Sequence, residues 1–180
     1  MYGVDPPYDG LVLSPGTVLE IGFGMGEATA AMAATAPDVD VLAVDVHPAG
    51  VASLLRRLEA ADLRNVRVVE GDALALLAAL PSGSLGEVRL LFPDPWPKKR
   101  HVKRRFLRPT TAALLADRLA PQGFLHLATD WPPYVEHARE VLRDWDVELV
   151  ERGERPVTGY ERRGHRAGRA SVDLRARPRR

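Results

Sequence analysis

The sequence of 180 residues contains no cysteine, which excludes disulfide bonds and metal sites built from thiolates. Its five histidines are scattered without the H-x-x-x-H spacing of a helical metal site, so we expect no bound metal. The sequence has no run of eighteen apolar residues and no basic-then-apolar leader, so neither a membrane span nor a signal peptide is expected. These absences favour a cytoplasmic protein.

Charge is distributed unevenly along the chain, although the net charge is only +1. Residues 98–108 carry seven lysines or arginines and no acid, and residues 151–180 carry ten arginines against four acids. The remaining chain holds eight basic and twenty acidic residues. An acidic body with two basic segments is typical of a protein that places one face against a phosphate backbone. A single such run is more often a solvated surface.

Short apolar runs alternate with helical patterns along the whole chain. Strands are predicted at 17–21, 41–46, 66–69, 88–92, 124–129, 147–150 and around 170–174, and helices at 27–35, 49–63, 73–80, 106–119 and 134–145. This β-α alternation with short connections predicts one α/β domain with a parallel sheet covered on both faces. Residues 1–16 are predicted to form a short irregular segment, and residues 175–180 a disordered, Arg-rich tail that binds phosphate.

A glycine-rich loop follows the first predicted strand, in the place of a nucleotide-binding loop. Its glycines, Gly22, Gly24 and Gly26, permit positive φ and close approach of a ligand. The spacing is G-x-G-x-G rather than the dinucleotide pattern G-x-G-x-x-G. Glu20 directly precedes the loop; a carboxylate there repels a pyrophosphate but suits an ammonium group, such as that of S-adenosylmethionine.

Two further acids follow the next two predicted strands. Asp45 ends the second strand, where a carboxylate can accept hydrogen bonds from ribose hydroxyls. Asp72 follows the third strand and is placed to accept the adenine amino proton. Asp72 alone could equally be a helix N-cap, but three acids at three consecutive strand ends favour a cofactor site.

A stiff proline-rich loop follows the fourth predicted strand. Pro93, Pro95 and Pro97 alternate with Asp94 and Trp96, and a dense basic run comes directly after them. Alternating prolines fix φ and remove backbone donors, so the loop cannot continue a sheet. The loop therefore predicts a site beside a grip for a polyanion; the alternative is a rigid turn followed by a solvated basic helix.

Together these motifs resemble the bacterial tRNA (guanine-N7-)-methyltransferases, the TrmB family of class I S-adenosylmethionine-dependent enzymes. The matching stretches are residues 19–26, 45–47, 71–73, 92–101, 129–131 and 155–165. The resemblance implies a Rossmann-like fold with a mostly parallel seven-stranded sheet, helices on both faces and an antiparallel last strand. It also implies methylation of guanine N7 in the variable loop of tRNA, at position 46 in tRNA numbering, with S-adenosylmethionine as the cofactor. No obligatory protein partner is apparent.

The resemblance also implies roles for individual residues. Asp94 would be the catalytic residue, and the cofactor would be bound by Glu20, Gly22, Gly24, Gly26, Asp45, Asp72 and Asp94. The guanine would be faced by Lys98, Asp130, Thr158, Gly159, Tyr160 and Glu161, and RNA contacted by Arg100, His101, Lys103, Arg104 and Arg105. Guanine N7 has a lone pair and no proton, so the transfer requires alignment rather than a general base.

Three alternatives remain open at this point. The stretch Asp94-Pro95-Trp96 is similar to the D-P-P-[WY] loop of DNA amino-methyltransferases, although Trp96 replaces the second proline. An RNA-binding module without catalysis would show the same basic segments. An NAD-dependent oxidoreductase is disfavoured by the glycine spacing and by Glu20.

Overall fold

The structure, a computed structural model, describes residues 2–6, 8, 11–14, 16–153 and 155–180. The strands are β1 Thr17–Ile21, β2 Val41–Asp45, β3 Val66–Glu70, β4 Leu85–Leu91, β5 Leu119–Thr129, β6 Trp145–Val150 and β7 Val172–Pro178. The helices are α1 Glu27–Thr35, α2 Pro48–Ala60, α3 Ala73–Ala79, α4 Pro109–Arg118, α5 Pro132–Val141 and α6 Gly159–Arg166, with a 3₁₀ helix at Lys99–Arg104.

All seven strands form one sheet in the order β3-β2-β1-β4-β5-β7-β6. Strands β1 to β5 pair in parallel, whereas β7 runs antiparallel to both of its neighbours, β5 and β6. The predicted fold class is therefore confirmed. The strand order reverses next to β1, and in such open sheets ligands bind beyond the carboxyl ends of the strands at that point.

Alternate residues of the central strands pack into two separate cores, one on each face of the sheet. On one face Val41 and Ala43 of β2 contact α1 and α2 through Ala33, Leu54 and Leu58. On the other face the intervening residues of β2 join a larger core with α3, α4 and α5. This alternation is the period of two that a strand buried on both sides requires. Within the described ranges, no helix has the length and apolarity needed to cross a membrane.

Two parts of the C-terminal region differ from the prediction. Residues 175–178 are not a disordered tail: they belong to β7, where Leu174 and Ala176 are buried and Arg175 and Arg177 lie on the other face, within 4.6 and 5.5 Å of the Phe124 ring. The alternation of buried and exposed residues in β7 was not recognised in the sequence because the exposed positions are arginines. Helix α6 was not predicted, because its eight residues are mostly polar and include glycines.

The start of the N-terminal segment pairs with the edge of the sheet. Tyr2 and Val4 exchange backbone hydrogen bonds with Val68 of β3, at 2.7 and 2.9 Å. Short backbone pairing of this kind extends the edge of the sheet beyond β3. For positions 1, 7, 9, 10 and 15, the predicted irregular structure lies outside the described residues.

Candidate active site

Two adjoining clefts lie at the carboxyl edge of the sheet, beyond β1, β2, β3 and β4. The first, of about 480 Å³, is lined by Asp45, Asp72 and Asp94, among others. The second, of about 460 Å³, is lined by Glu20, the glycine loop and the start of α6. The residues common to both clefts are Gly22, Gly24, His47, Leu91 and Tyr160. A single elongated ligand could therefore occupy both clefts across the glycine loop.

Glu20 is a buried acid on the floor of the second cleft. It is 3% exposed, and its Oε2 has no hydrogen-bond partner within the described part of the chain. Burial raises the pKa of Glu20 to about 7, although the Arg89 guanidinium opposes part of that rise. A buried carboxylate oxygen without a donor is costly, so this position suits a ligand that brings a donor or a positive charge.

The glycine loop is held by the acid at the end of β2. Gly22, Gly24 and Gly26 all have positive φ, at 75°, 59° and 72°, a region that side chains disfavour. The Gly24 amide donates to Asp45 Oδ2 at 2.8 Å, and the His47 amide donates to Asp45 Oδ1 at 3.0 Å. Each carboxylate oxygen keeps a second lone pair, so Asp45 can both fix the loop and accept from a ligand.

Asp72 and Asp94 complete the row of acids along the first cleft. Asp72 caps α3, since its Oδ1 accepts from the Leu74 amide at 2.7 Å. The helix-cap interpretation is therefore correct for Asp72, and its Oδ2 stays available at the cleft. Asp94 is exposed, and in the described structure its carboxylate makes no hydrogen bond or ion pair. Its position consequently depends on the backbone of its loop.

That loop, residues 92–97, is conformationally strained at both ends. Phe92 and Trp96 have φ values of 53° and 42°, and each such residue costs about 1–3 kcal/mol unless its surroundings fix it. Each strained residue is in contact with an arginine. The Arg155 guanidinium lies 5.5 Å from the ring centroid of Phe92, and the Arg104 guanidinium lies 4.9 Å from the ring centroid of Trp96. His101 packs edge-on against Trp96 at 5.7 Å.

Arg105 also contacts this loop, through the Pro95 carbonyl. It is 7% exposed, and its Nε–H donates to the Pro95 carbonyl at 2.8 Å. Its guanidinium lies 5.4 Å from the ring centroid of Tyr134, a fully buried residue of α5. Burial raises the pKa of Tyr134 to about 12, and both Arg105 and Asp94 lie close enough to act on it. The expected contact between Arg105 and RNA stays a prediction.

Of the other predicted RNA contacts, Lys103 and Arg104 line the first cleft, and Arg100 lies exposed beside them together with Lys98 and Lys99. Lys98, Lys99, Arg100, Lys103 and Arg104 are exposed. Among the described residues, no ion pair includes any position from 98 to 105. This exposed cluster of positive charge, which we call the basic rim, has no carboxylate partner among the described residues, although Arg104 stacks on Trp96; its charges can therefore meet an anionic ligand.

The residues expected to face guanine are dispersed. Lys98 and Asp130 line neither cleft, and Asp130 accepts from Arg169 at 2.8 Å. Gly159 and Tyr160 do line the second cleft, and Tyr160 is 51% exposed. Thr158 lines it as well and caps α6, where its hydroxyl accepts from the Glu161 amide at 3.0 Å.

Glu161 belongs to a buried ionic network. It is fully buried, and its carboxylate accepts from Arg155 at 2.8 and 3.2 Å and from Ser171 at 2.9 Å. Arg155 also donates to Asp173, which in turn contacts His126 at 2.8 Å. Burial opposes the ionisation of Glu161, but the bonds from Arg155 and Ser171 outweigh it and lower its pKa. The network fixes α6, and with it Tyr160, against the sheet.

Sequence reasoning missed two residues that shape the site. One is Arg155, whose buried position no local pattern indicates. The other is Gly50, since a Cβ there would lie 2.2 Å from the Gly24 carbonyl, so α2 can approach the loop only with glycine at this position. For α6 a signal was present: Thr158-x-x-Glu161 is a capping box, which marks a helix start.

Comparison with known proteins gives consistent results. A family profile described as "putative methyltransferase" matches residues 15–174. A tRNA (guanine-N(7)-)-methyltransferase of Alkalilimnicola ehrlichii is 51% identical, over 87% of this chain and 70% of the relative. One of Streptomyces coelicolor is 48% identical, over 87% of this chain and 62% of the relative. The chain thus spans about two thirds of the length of these curated relatives.

Solved structures of lower identity share the fold. A precorrin-6y C5,15-methyltransferase from Geobacter metallireducens has a TM-score of 0.64 at 16% identity, and the match covers 95% of this chain and 83% of that one. An S-adenosylmethionine-dependent methyltransferase from Aquifex aeolicus has a TM-score of 0.61 at 17% identity, over 92% of this chain and 84% of that one. At this identity the likeness establishes the class I methyltransferase fold.

Proposed function

This chain belongs to the tRNA (guanine-N(7)-)-methyltransferase family, and from that membership we propose that it methylates N7 of the variable-loop guanine, position 46, of tRNA in the cytoplasm. The observation that carries the proposal is the pair of adjoining clefts, with an acid at or just beyond the carboxyl end of each of four parallel strands and the basic rim beside them. The curated relatives do not favour the alternatives of an amino-methyltransferase, a non-catalytic RNA-binding module or an oxidoreductase.

The clefts fit S-adenosylmethionine. The unpaired Oε2 of buried Glu20 supports a site for the amino-acid ammonium in the second cleft. Asp45 and Asp72 would accept from the ribose and the adenine amino group in the first cleft. When bound, the cofactor supplies an electrophilic methyl group on a sulfonium. Its amino-acid end would meet Glu20, and ionisation of that carboxylate, whose pKa burial raises, would be favoured by the incoming positive charge.

The residues around the first cleft have to align guanine N7 and stabilise the charge that develops on the base. N7 needs no deprotonation, so the rate depends on positioning. Asp94 lies in the cleft, exposed and without an internal partner. Its carboxylate can accept from the base edge, and the interaction strengthens as the imidazole ring of guanine becomes cationic. Tyr160, common to both clefts, offers a ring face for stacking of the exposed base.

The basic rim would hold the phosphate backbone on one side of the target nucleotide. Lys103 and Arg104 also line the first cleft, so RNA contact and the reacting base are neighbours. Lys98, Asp130 and the segment Thr158–Glu161 remain proposed guanine-facing residues. For Glu161 that role would be indirect, through the α6 start that it caps.

The test is incubation with methyl-labelled S-adenosylmethionine and unmodified tRNA transcripts, followed by nucleoside analysis. We expect label in 7-methylguanosine, and its loss when the variable-loop guanine is replaced by adenine. Label in another nucleoside would overturn the proposed substrate atom.

Asp94→Ala should lower the transfer rate by at least about 100-fold while the protein stays folded. Asp144→Ala, a change of an exposed acid whose side chain is 89% accessible, serves as the matched control and should retain full activity. A folded Asp94→Ala protein with activity within a factor of three of the parent would exclude the assigned role.

A further inference from the structure

Arg105 lies in the basic run but, unlike the residues directly before it, is buried. It is 7% exposed, whereas Lys103 and Arg104 on the preceding turn are open to solvent. Its guanidinium has one face on the Tyr134 ring and one N–H on the Pro95 carbonyl. Arg105 lines the first cleft from the inside, and so little of it is exposed that it is poorly placed to meet a phosphate backbone at the basic rim.

The bond to Pro95 reaches the residue directly after Asp94. Among the described residues, no hydrogen bond or ion pair fixes the Asp94 carboxylate, and Pro93 and Pro95 cannot donate backbone hydrogen bonds. The position of the Asp94 carboxylate is therefore determined by the backbone conformation of residues 93–96. The loop is closed at both ends by residues in a strained conformation, Phe92 and Trp96, which persist only when surrounding contacts determine them.

We propose that Arg105 is a positioning residue: it holds the Pro95 carbonyl, and through it the Asp94 carboxylate, in the geometry that methyl transfer requires. Tyr134 provides the surface on which the guanidinium is oriented. This inference rests on the proposed function, and it separates Arg105 from the RNA contacts with which its sequence position groups it.

Arginine and lysine are not equivalent at position 105 if the residue positions the loop. A phosphate contact needs only a point charge, which lysine also supplies, whereas a planar group that stacks and donates from Nε is not replaced by an ammonium. Since a displacement of about 1 Å in a reacting group can cost about 100-fold in rate, a small shift of the loop would be detectable in kcat.

The test compares Arg105→Met and Arg105→Lys with Lys99→Met, an exposed member of the basic rim, and with Arg143→Met, an exposed arginine remote from it. Three quantities are measured: kcat at saturating tRNA, the dissociation constant for tRNA and its dependence on salt. We expect both Arg105 variants to lose about 10- to 100-fold in kcat, with the tRNA salt slope unchanged. Lys99→Met should instead flatten that slope by about one contact, and Arg143→Met should change nothing.

Several outcomes would overturn the inference. Arg105→Met with normal kcat and a flatter salt slope, rescued by Arg105→Lys, would make Arg105 a phosphate contact. Unchanged values in both variants would leave it no role in the reaction. If Arg105→Met does not give a cooperative unfolding transition, the comparison is made with Arg105→Lys, which retains the charge. Failure of the unsubstituted protein to transfer methyl at all would instead refute the proposed function.

Discussion

The two basic segments of the chain, residues 98–108 and 151–180, look alike in the sequence and differ in the structure. In the first, the five side chains of the basic rim point to solvent and form no ion pair within the described ranges. In the second, six of the ten arginines pair with carboxylates of described residues; these are Arg155, Arg162, Arg169, Arg175, Arg177 and Arg179. The number of charges in a run therefore does not measure the charge available to a ligand.

The difference arises from where the partner acids lie. Arg155 pairs with two acids of its own segment, Glu161 and Asp173. The other paired arginines meet acids outside the segment; Arg162, for example, contacts Glu27. The first segment follows a loop whose one acid, Asp94, lines the cleft. Unpaired charge is thus concentrated beside the proposed reaction site, and the paired arginines stabilise the C-terminal part of the sheet.

The largest expected effect is that of removing the central cation of the buried network. Arg155→Met leaves Glu161 and Asp173, which are 0% and 4% exposed, without their shared partner. Loss of one partner from a buried pair typically costs about 3–5 kcal/mol, and we expect that fall in the free energy of unfolding, measured by urea denaturation. Arg166→Met, an exposed change in the same segment, is the control and should stay within about 0.5 kcal/mol. A loss below about 1 kcal/mol for Arg155→Met would mean that the network does not stabilise the fold.

Acid should weaken the same network. The network continues through His126 to Glu87, which contacts Arg89 at 2.8 Å. Burial opposes ionisation of Glu87, but bonds from His126 and Arg89 lower its pKa to about 2. A lowered folded-state pKa gives stability that is present above the unfolded value of 4.5 and lost as the pH falls through the folded value. We therefore expect the free energy of unfolding to fall by about 3 kcal/mol between about pH 5 and pH 2 through Glu87.

The pH dependence of urea denaturation checks this expectation. Glu87→Gln should remove most of the Glu87 contribution, whereas removal of charges from the basic rim should leave the acid transition where it is. An acid transition unaffected by Glu87→Gln would assign it to other carboxylates, such as Asp173 and Glu161, whose pKa values are also lowered.

These contrasts also explain what the sequence could and could not predict. The strands β1 to β5, the glycine loop and the acids at the strand ends carry local signals, namely apolar period, positive-φ glycine and strand-end position. The pairing of Arg155 and the burial of Arg105 depend on residues distant in sequence or on packing, and no local pattern reports them. Strand β7 was predicted too short because its exposed face carries arginines that look like a solvated tail. The sequence thus predicted the strands, the glycine loop and the acids that line the two clefts, and it missed the parts held by tertiary ion pairs.

The next largest effect is expected from the basic rim, and it concerns tRNA binding instead of stability. Replacing Lys98, Lys99, Arg100 and Lys103 by glutamine should flatten the salt dependence of tRNA binding by about three units and weaken binding by about 100-fold at physiological salt. The matched control replaces the paired Arg175 and Arg177 by glutamine and should leave the slope unchanged. If both variants changed the salt dependence of tRNA binding equally, the unpaired basic rim would not bind tRNA in preference to the ion-paired arginines. Stability should hardly change in the first variant, because no internal ion pair is lost.

The smallest effect is expected where the second segment pairs at the surface. Arg162 and Glu27 form an ion pair whose side chains are 47% and 43% exposed, and exposed pairs contribute about 0.2–1 kcal/mol that salt screens. A double-mutant cycle of Arg162→Gln and Glu27→Gln should give a coupling energy in that range at low salt and close to zero at 1 M. Burial, rather than pairing alone, would then account for the difference from Arg155. A coupling energy comparable to the Arg155 loss, insensitive to salt, would instead mean that this exposed pair stabilises the fold as strongly as the buried network, so that burial does not account for the difference.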